Sequence, residues 1–278
     1  MRMNRNFVRT IALAKKKLPS HLKAMEEFRK FPMHEAARDG RTQIVESLLK
    51  ESPELASRID DDGRLAIHWA VSFGHKDIVR LLAANEKFDP NVQDGSGWTP
   101  LMIAVSLKDG EELVDLLLRK GADVNAKSMS LNLSQFQKSL LSTQKILLVK
   151  LTALHFIASK KNIQLARNLM SHDIPARTRI CDKRRQYPIH RAAAVGSVPL
   201  VELLIKHKSP INAADIFGQT PLHHAIAEGH GDTAVSLLKA GVDTKIRDSD
   251  DKLAIQLAPN SQIRNFIIRE AELEGIEL

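Results

Sequence analysis

Along the C-terminal half of the chain, apolar and small residues fall on helical spacing in short paired runs. Leu222, Ala225 and Ile226 recur at i, i+3 and i+4, and Gly229 ends that run. Val235, Leu237 and Leu238 form a second run that closes at Gly241. The spacing predicts two short amphipathic helices joined by a tight turn. Pro221 falls at the first helical position, where a missing N–H costs nothing; Thr220 before it suits an N-cap, and Asp215-Ile-Phe-Gly218 supplies turn formers. The same plan fits His190 to Pro210, with Ala192 to Ala194 in the first helix and Leu200, Val201, Leu203 and Leu204 in the second. Neither pair can bury its stripe alone, so such units are expected to stack into one continuous core.

The start of the first helix recurs as a tetrapeptide. It reads Phe31-Pro-Met-His34, Leu65-Ala-Ile-His68, Thr99-Pro-Leu-Met102, Thr152-Ala-Leu-His155, Tyr187-Pro-Ile-His190, Thr220-Pro-Leu-His223 and Leu253-Ala-Ile-Gln256. The intervals between last residues are 34, 34, 53, 35, 33 and 33, so one is long by about 20. This pattern resembles the ankyrin repeat, a turn and two antiparallel helices beginning Thr-Pro-Leu-His. The expected fold is therefore all-α: an ankyrin-repeat solenoid of seven helix-turn-helix repeats with short β-turn fingers, spanning residues 31–278. The seventh copy is read as a terminal cap, because Pro259-Asn260-Ser261 interrupts it and Arg264, Arg269, Glu270, Glu272 and Glu274 charge its end.

Two segments depart from the period. Residues 1–30 carry nine basic and two acidic residues, and residues 128–150 hold three lysines with no acid, Gly or Pro. The first 25 residues, which hold no acid, also have the style of an organellar presequence. For the second, one reading is a finger extension whose Leu140, Leu141, Ile146, Leu147 and Val149 grip a partner. The other, preferred because the insert removes the turn chemistry of its repeat, is translated non-coding sequence. The same suspicion extends to residues 1–24, with Met25 as the alternative start.

These segments change the meaning of the charge. The formal net charge of +8 comes from 41 Lys+Arg against 33 Asp+Glu, but outside the two segments the count is 29 against 31. A nucleic-acid or membrane-surface role would have to work through the basic N-terminus alone, so neither partner is expected. Apolar runs stop well short of the 18 or more residues of a membrane helix. The single cysteine, Cys181, excludes an intramolecular disulfide framework and fits a reducing compartment.

Candidate chemistry is sparse. Five of eleven histidines hold the last place of the repeat motif, where a ring can hydrogen-bond backbone between adjacent repeats. His223, His224 and His230 lack carboxylate or thiolate company for zinc. Phosphate-cradling glycine loops and nucleophile elbows are missing, and acid runs such as Asp60-Asp61-Asp62 and Asp250-Asp251 read as solvated turns. Neither an enzyme nor a cofactor nor a metal is expected.

A solenoid offers instead a concave face of turn tips and outward first-helix positions. Those positions include Arg64, Trp69, Phe73, Trp98, Ile103, Phe156, Lys160, Arg185, Arg191, Phe217, His224 and Glu228. Both tryptophans are among them in a chain with 4% aromatics, which points to protein binding, since aromatics and Arg dominate hot spots. Phe73 and Phe156 could instead pack between repeats. The cations Arg64, Lys160, Lys161, Arg184, Arg185 and Arg191 suit acidic side chains.

Off-consensus stretches carry a closer resemblance. Asp62-Gly-Arg-Leu-Ala-Ile-His-Trp-Ala-Val-Ser-Phe-Gly-His75, Asp94-Gly-Ser-Gly-Trp-Thr-Pro100, Leu154-His-Phe-Ile-Ala-Ser-Lys-Lys161, His190-Arg-Ala-Ala-Ala-Val-Gly-Ser197 and Ala227-Glu-Gly-His-Gly-Asp232 resemble the gankyrin family of proteasome assembly chaperones in its fungal form. The likeness covers residues 31–127 and 152–278. It implies a monomeric, non-enzymatic, cytoplasmic and nuclear chaperone whose concave face binds the C-terminal domain of a proteasomal ATPase subunit of the regulatory-particle base. In the family, the bound chaperone opposes docking of the ATPase module on the proteolytic core. Arg64, Trp69, Trp98 and Lys160 match family contact positions, and Phe73, Phe156, Arg185, Arg191 and Glu228 complete the expected protein-binding face. The competing reading is a generic ankyrin scaffold or inhibitor of another signalling or transcription protein. Peptide mass spectrometry of the endogenous protein tests the two departing segments. Non-coding origin predicts that tryptic peptides Ser139–Lys145 and Thr10–Lys15 are missing, and detecting either one contradicts it.

Overall fold

The structure is a computed structural model that describes residues 30–128, 130–131, 148–149 and 151–278. The basic segment up to residue 29 and most of the 128–150 insert lie outside the described residues. The chain divides into two compact units at Phe88/Asp89. The first holds α1 (Pro32–Arg38), α2 (Thr42–Glu51), a 3₁₀ turn at Pro53–Ser57, α3 (Ala66–Ser72) and α4 (Lys76–Ala83). The second holds α5 (Pro100–Ser106), α6 (Glu111–Arg119), α7 (Ala153–Lys160), α8 (Ile163–Met170), α9 (Pro188–Ala194), α10 (Val198–Lys206), α11 (Pro221–Ala227), α12 (Gly231–Lys239) and α13 (Ser261–Leu273). The seventh repeat reduces its first helix to a 3₁₀ turn, Ala254–Leu257, as expected of a cap.

Within each unit, first helices pack on first helices. In the second unit α5 meets α7, α7 meets α9, α9 meets α11, and α11 meets the Ala254–Leu257 turn, while α8, α10, α12 and α13 form the other layer. The small residues predicted on the inner stripe make this close approach possible: Ala158, Ala192, Ala193 and Ala225 are fully buried beside Ile157, Ile189 and Ile226. Leu200, Val201, Leu204 and Leu237 fill the second layer, also fully buried. The all-α repeat architecture expected from the periodicity is therefore the one observed.

The motif histidines join one repeat to the next. Nε2 lies 2.9 Å from the Arg64 carbonyl for His34, 3.1 Å from that of Gln186 for His155, 2.9 Å from that of Ala213 for His190 and 3.4 Å from that of Lys252 for His223. Nδ1 accepts the backbone N–H of the helix cap from Leu65 to His68, Thr152 to His155, Tyr187 to His190 and Thr220 to His223, at 3.0–3.2 Å. A carbonyl on one side and an N–H on the other assign the neutral Nε2–H tautomer. Thr152 and Thr220 turn their hydroxyls onto the same Nδ1 instead of capping the helix themselves. Thr99, whose repeat carries Met102 in place of histidine, caps the Met102 N–H directly. Gln256 takes the histidine place in the last repeat, its Oε1 accepting the Leu253 N–H at 2.7 Å. In the first repeat Phe31 is not extended, and the buried Nδ1 of His34 is left without a partner.

The insert enters at the tip of the fourth finger. In other fingers an aspartate N–H donates to the carbonyl four residues on, as from Asp94 to Trp98 and from Asp182 to Gln186. Here Ser128 donates to Leu151 at 2.8 Å, and Leu151 N–H returns to the Ser128 hydroxyl at 3.3 Å. Short strands β1 (Ser130–Leu131) and β2 (Leu148–Val149) continue the same antiparallel register, Ser130 opposite Val149 and Leu131 opposite Leu148. Loss of the turn's Asp and Gly thus leaves the finger base closed, with a serine hydroxyl in the carboxylate's place.

Burial pushes the His155 imidazole down to about 4, only partly offset by the Gln186 carbonyl, and burial together with neighbouring His224 pushes His190 down to about 4. Both groups lie below their ordinary 6.5, so the stability they contribute is complete above pH 6.5 and is lost as pH falls toward 4. His155→Gln, which copies Gln256, is expected to fold and to flatten the pH dependence of urea stability across that window by up to about 1.4 kcal/mol per pH unit. An unchanged slope contradicts the neutral-histidine joint.

Candidate protein-binding face

The expected contact residues are displayed by a device that the sequence reading missed. Five fingers open with an aspartate whose Oδ1 accepts two backbone N–H groups of its own turn: Asp60 from Asp62 and Arg64, Asp94 from Ser96 and Trp98, Asp182 from Arg184 and Gln186, Asp215 from Phe217 and Gln219, and Asp248 from Asp250 and Lys252. In three fingers Oδ2 then holds the side chain nine residues on, directly after the motif histidine. Asp60 accepts the Trp69 indole N–H at 2.7 Å, Asp182 pairs with Arg191 at 3.1 Å, and Asp215 meets His224 Nε2 at 3.1 Å. The carboxylates of Asp182 and Asp215 are wholly buried. Asp60 therefore corrects the reading of its run as a solvated turn, whereas Asp61 and Asp62 are exposed.

Burial raises the Asp60 carboxyl, but hydrogen bonds from Trp69, Arg64 and Asp62 outweigh it and hold the group below its usual range. Asp215 behaves alike, with burial overcome by Gln186, Phe217, Gln219 and His224. Both carboxylates stay charged and act as fixed acceptors.

In the first unit three expected residues come together. The Arg64 guanidinium lies over the Trp69 ring at 4.7 Å, and Trp69 stacks with Phe73 at 6.3 Å. Phe73 is 56% exposed, so it does not pack between repeats. In the second unit Trp98 and Phe156 meet across adjacent repeats at 4.6 Å, both half-buried, so Phe156 does fill a joint. Arg191 is half-buried on Asp182. Lys160, Arg185 and Glu228 are exposed and make no ion pair among the described residues. Ile103 corrects its outward assignment: at 7% exposure it belongs to the core. It stands nine residues after Asp94, and its apolar side chain has nothing to offer that carboxylate.

Among the described residues no three His, Cys, Asp or Glu side chains are grouped to hold a metal ion, and no helix is long and apolar enough to cross a membrane. The arrangement offers aromatic rings stiffened by ionic hydrogen bonds and exposed cations, which is the chemistry of a protein-recognition surface.

The ankyrin-repeat family matches at residues 4–94, 33–128 and 154–248. The chain is 36% identical over 244 residues to a protein of Saccharomyces cerevisiae named "Probable 26S proteasome regulatory subunit p28", covering 86% of this chain and 97% of that one. It is 31% identical to "Ankyrin repeat-containing protein C6C3.08" of Schizosaccharomyces pombe, over 85% and 93% of the two chains. Among solved structures, the human ASB11 ankyrin repeat domain superposes with a TM-score of 0.67 at 20% identity, over 86% of this chain and 97% of that one, a likeness of fold.

Proposed function

The chain belongs to the ankyrin-repeat family and, within it, to the gankyrin family that includes the yeast p28 subunit, and from that membership we propose that it is a proteasome assembly chaperone. It binds the C-terminal domain of one ATPase subunit of the regulatory-particle base, acts without catalysis or cofactor as a monomer, and works in the cytoplasm and nucleus. The observation that carries this reading is the 36% identity that runs through nearly the whole of both chains, beyond what a shared repeat motif requires. The geometry supports it: the matched positions Arg64 and Trp69 form one ordered unit on Asp60, and Lys160 is an exposed cation at the end of α7.

Arg64 and Lys160 meet acidic side chains of the ATPase domain, while Trp69 and Trp98 supply the apolar contact. Phe73 adds to the contact offered by the first unit, and Arg185, Arg191 and Glu228 to that offered by the second.

Charge reversal at both cations, Arg64→Glu with Lys160→Glu, is expected to abolish capture of the ATPase domain in a pull-down. Stranding a desolvated partner charge costs about 2–5 kcal/mol. Retained capture by a double variant with a native circular dichroism spectrum refutes the reading.

A further inference from the structure

The tip of the fifth finger differs from that of the sixth in charge and in the residue at its left-handed position. Lys183, Arg184 and Arg185 follow one another there, and none of the three makes an ion pair among the described residues. Arg185 has a φ of 60°, the left-handed conformation that Gly63, Gly97 and Gly218 adopt at the same place in other fingers and that Asp251 adopts in the seventh. A side chain at that place is disfavoured by its own Cβ, so a glycine there would relieve the turn.

The next finger brings exposed apolar area to the same spot. Ile216 is 46% and Phe217 54% exposed, and Ile216 N–H donates to the Arg184 carbonyl at 3.0 Å, which fixes the two tips side by side. Ser249 N–H donates to the Phe217 carbonyl at 2.9 Å, so the seventh finger, with exposed Asp250 and Asp251, borders the other edge.

Charge along the second unit is partitioned around this place. Residues 160–208 hold eleven Lys+Arg and three Asp+Glu, against four and seven in residues 89–127 and six and eleven in residues 209–278. The positive field is strong but short. A nucleic acid, with a phosphate charge about every 1.7 Å of duplex, would run from it onto Asp250 and Asp251. A brief run of carboxylates with one apolar side chain fits within it.

We propose that the tips of fingers five and six form a docking surface for a short acidic polypeptide segment, Arg184 and Arg185 meeting its carboxylates and Phe217 its apolar side chain. Arg185 is shared with the proposed ATPase-binding face, but Arg184 and Phe217 are not, so failure of the charge-reversal test at Arg64 and Lys160 leaves this surface standing.

The probe is a labelled peptide, Glu-Glu-Leu-Glu-Phe-Glu-Glu, titrated with the full-length chain by fluorescence anisotropy. Binding is expected to weaken with salt, and Arg184→Glu and Phe217→Ser are each expected to lower affinity by about three- to tenfold. Arg185→Gly separates recognition from folding: it is expected to weaken the peptide while raising the melting midpoint, because glycine relieves the left-handed turn. Unchanged affinity in Arg184→Glu and Phe217→Ser overturns the proposal and assigns peptide binding to the basic N-terminal segment. Tighter binding of single-stranded oligothymidylate that these variants weaken equally, or a lower melting midpoint for Arg185→Gly, also overturns it.

Discussion

The joints from the fourth repeat onward each rest on a buried imidazole that stays neutral. Its Nδ1 accepts the N–H that opens its own helix, and its Nε2–H reaches a carbonyl in or beside the next finger. A proton on Nδ1 would face that N–H donor in a buried site, so charge is disfavoured by geometry as well as by desolvation. The positions of the fifth, sixth and seventh fingers depend on that bond.

From the finger the order passes to the surface. A finger placed by a histidine carries an aspartate, one oxygen of which closes the turn while the other holds the side chain after the next motif histidine. Trp69, Arg191 and His224 are thus fixed by carboxylates rather than left as free surface groups. A partner meeting such side chains loses little rotamer freedom on binding, which favours affinity without added area. Within each unit, core and candidate face are joined by hydrogen bonds.

Much of this was legible in the sequence. The seven motif copies, the capping role of the last copy, the local task of the histidines and the exposed cations all follow from spacing and residue type. The finger aspartates were not found because Asp60 and Asp215 look like ordinary turn formers; the signal was their constant separation of nine residues from the side chain they hold. Ile103 misled because its position in the repeat is outward, whereas its apolar side chain is drawn inward. Phe156 is half-buried against Trp98 of the preceding repeat, whereas Phe73 meets Trp69 of its own helix and stays largely exposed. Such differences depend on the neighbouring repeat and cannot be read one repeat at a time.

Affinity purification of the endogenous protein from native extract, with quantitative mass spectrometry of what accompanies it, tests the central claim most directly. The account predicts one proteasomal ATPase subunit as the dominant stoichiometric partner, with other base subunits following it. A signalling or transcription protein in that place, with proteasomal ATPases at background, would contradict the account.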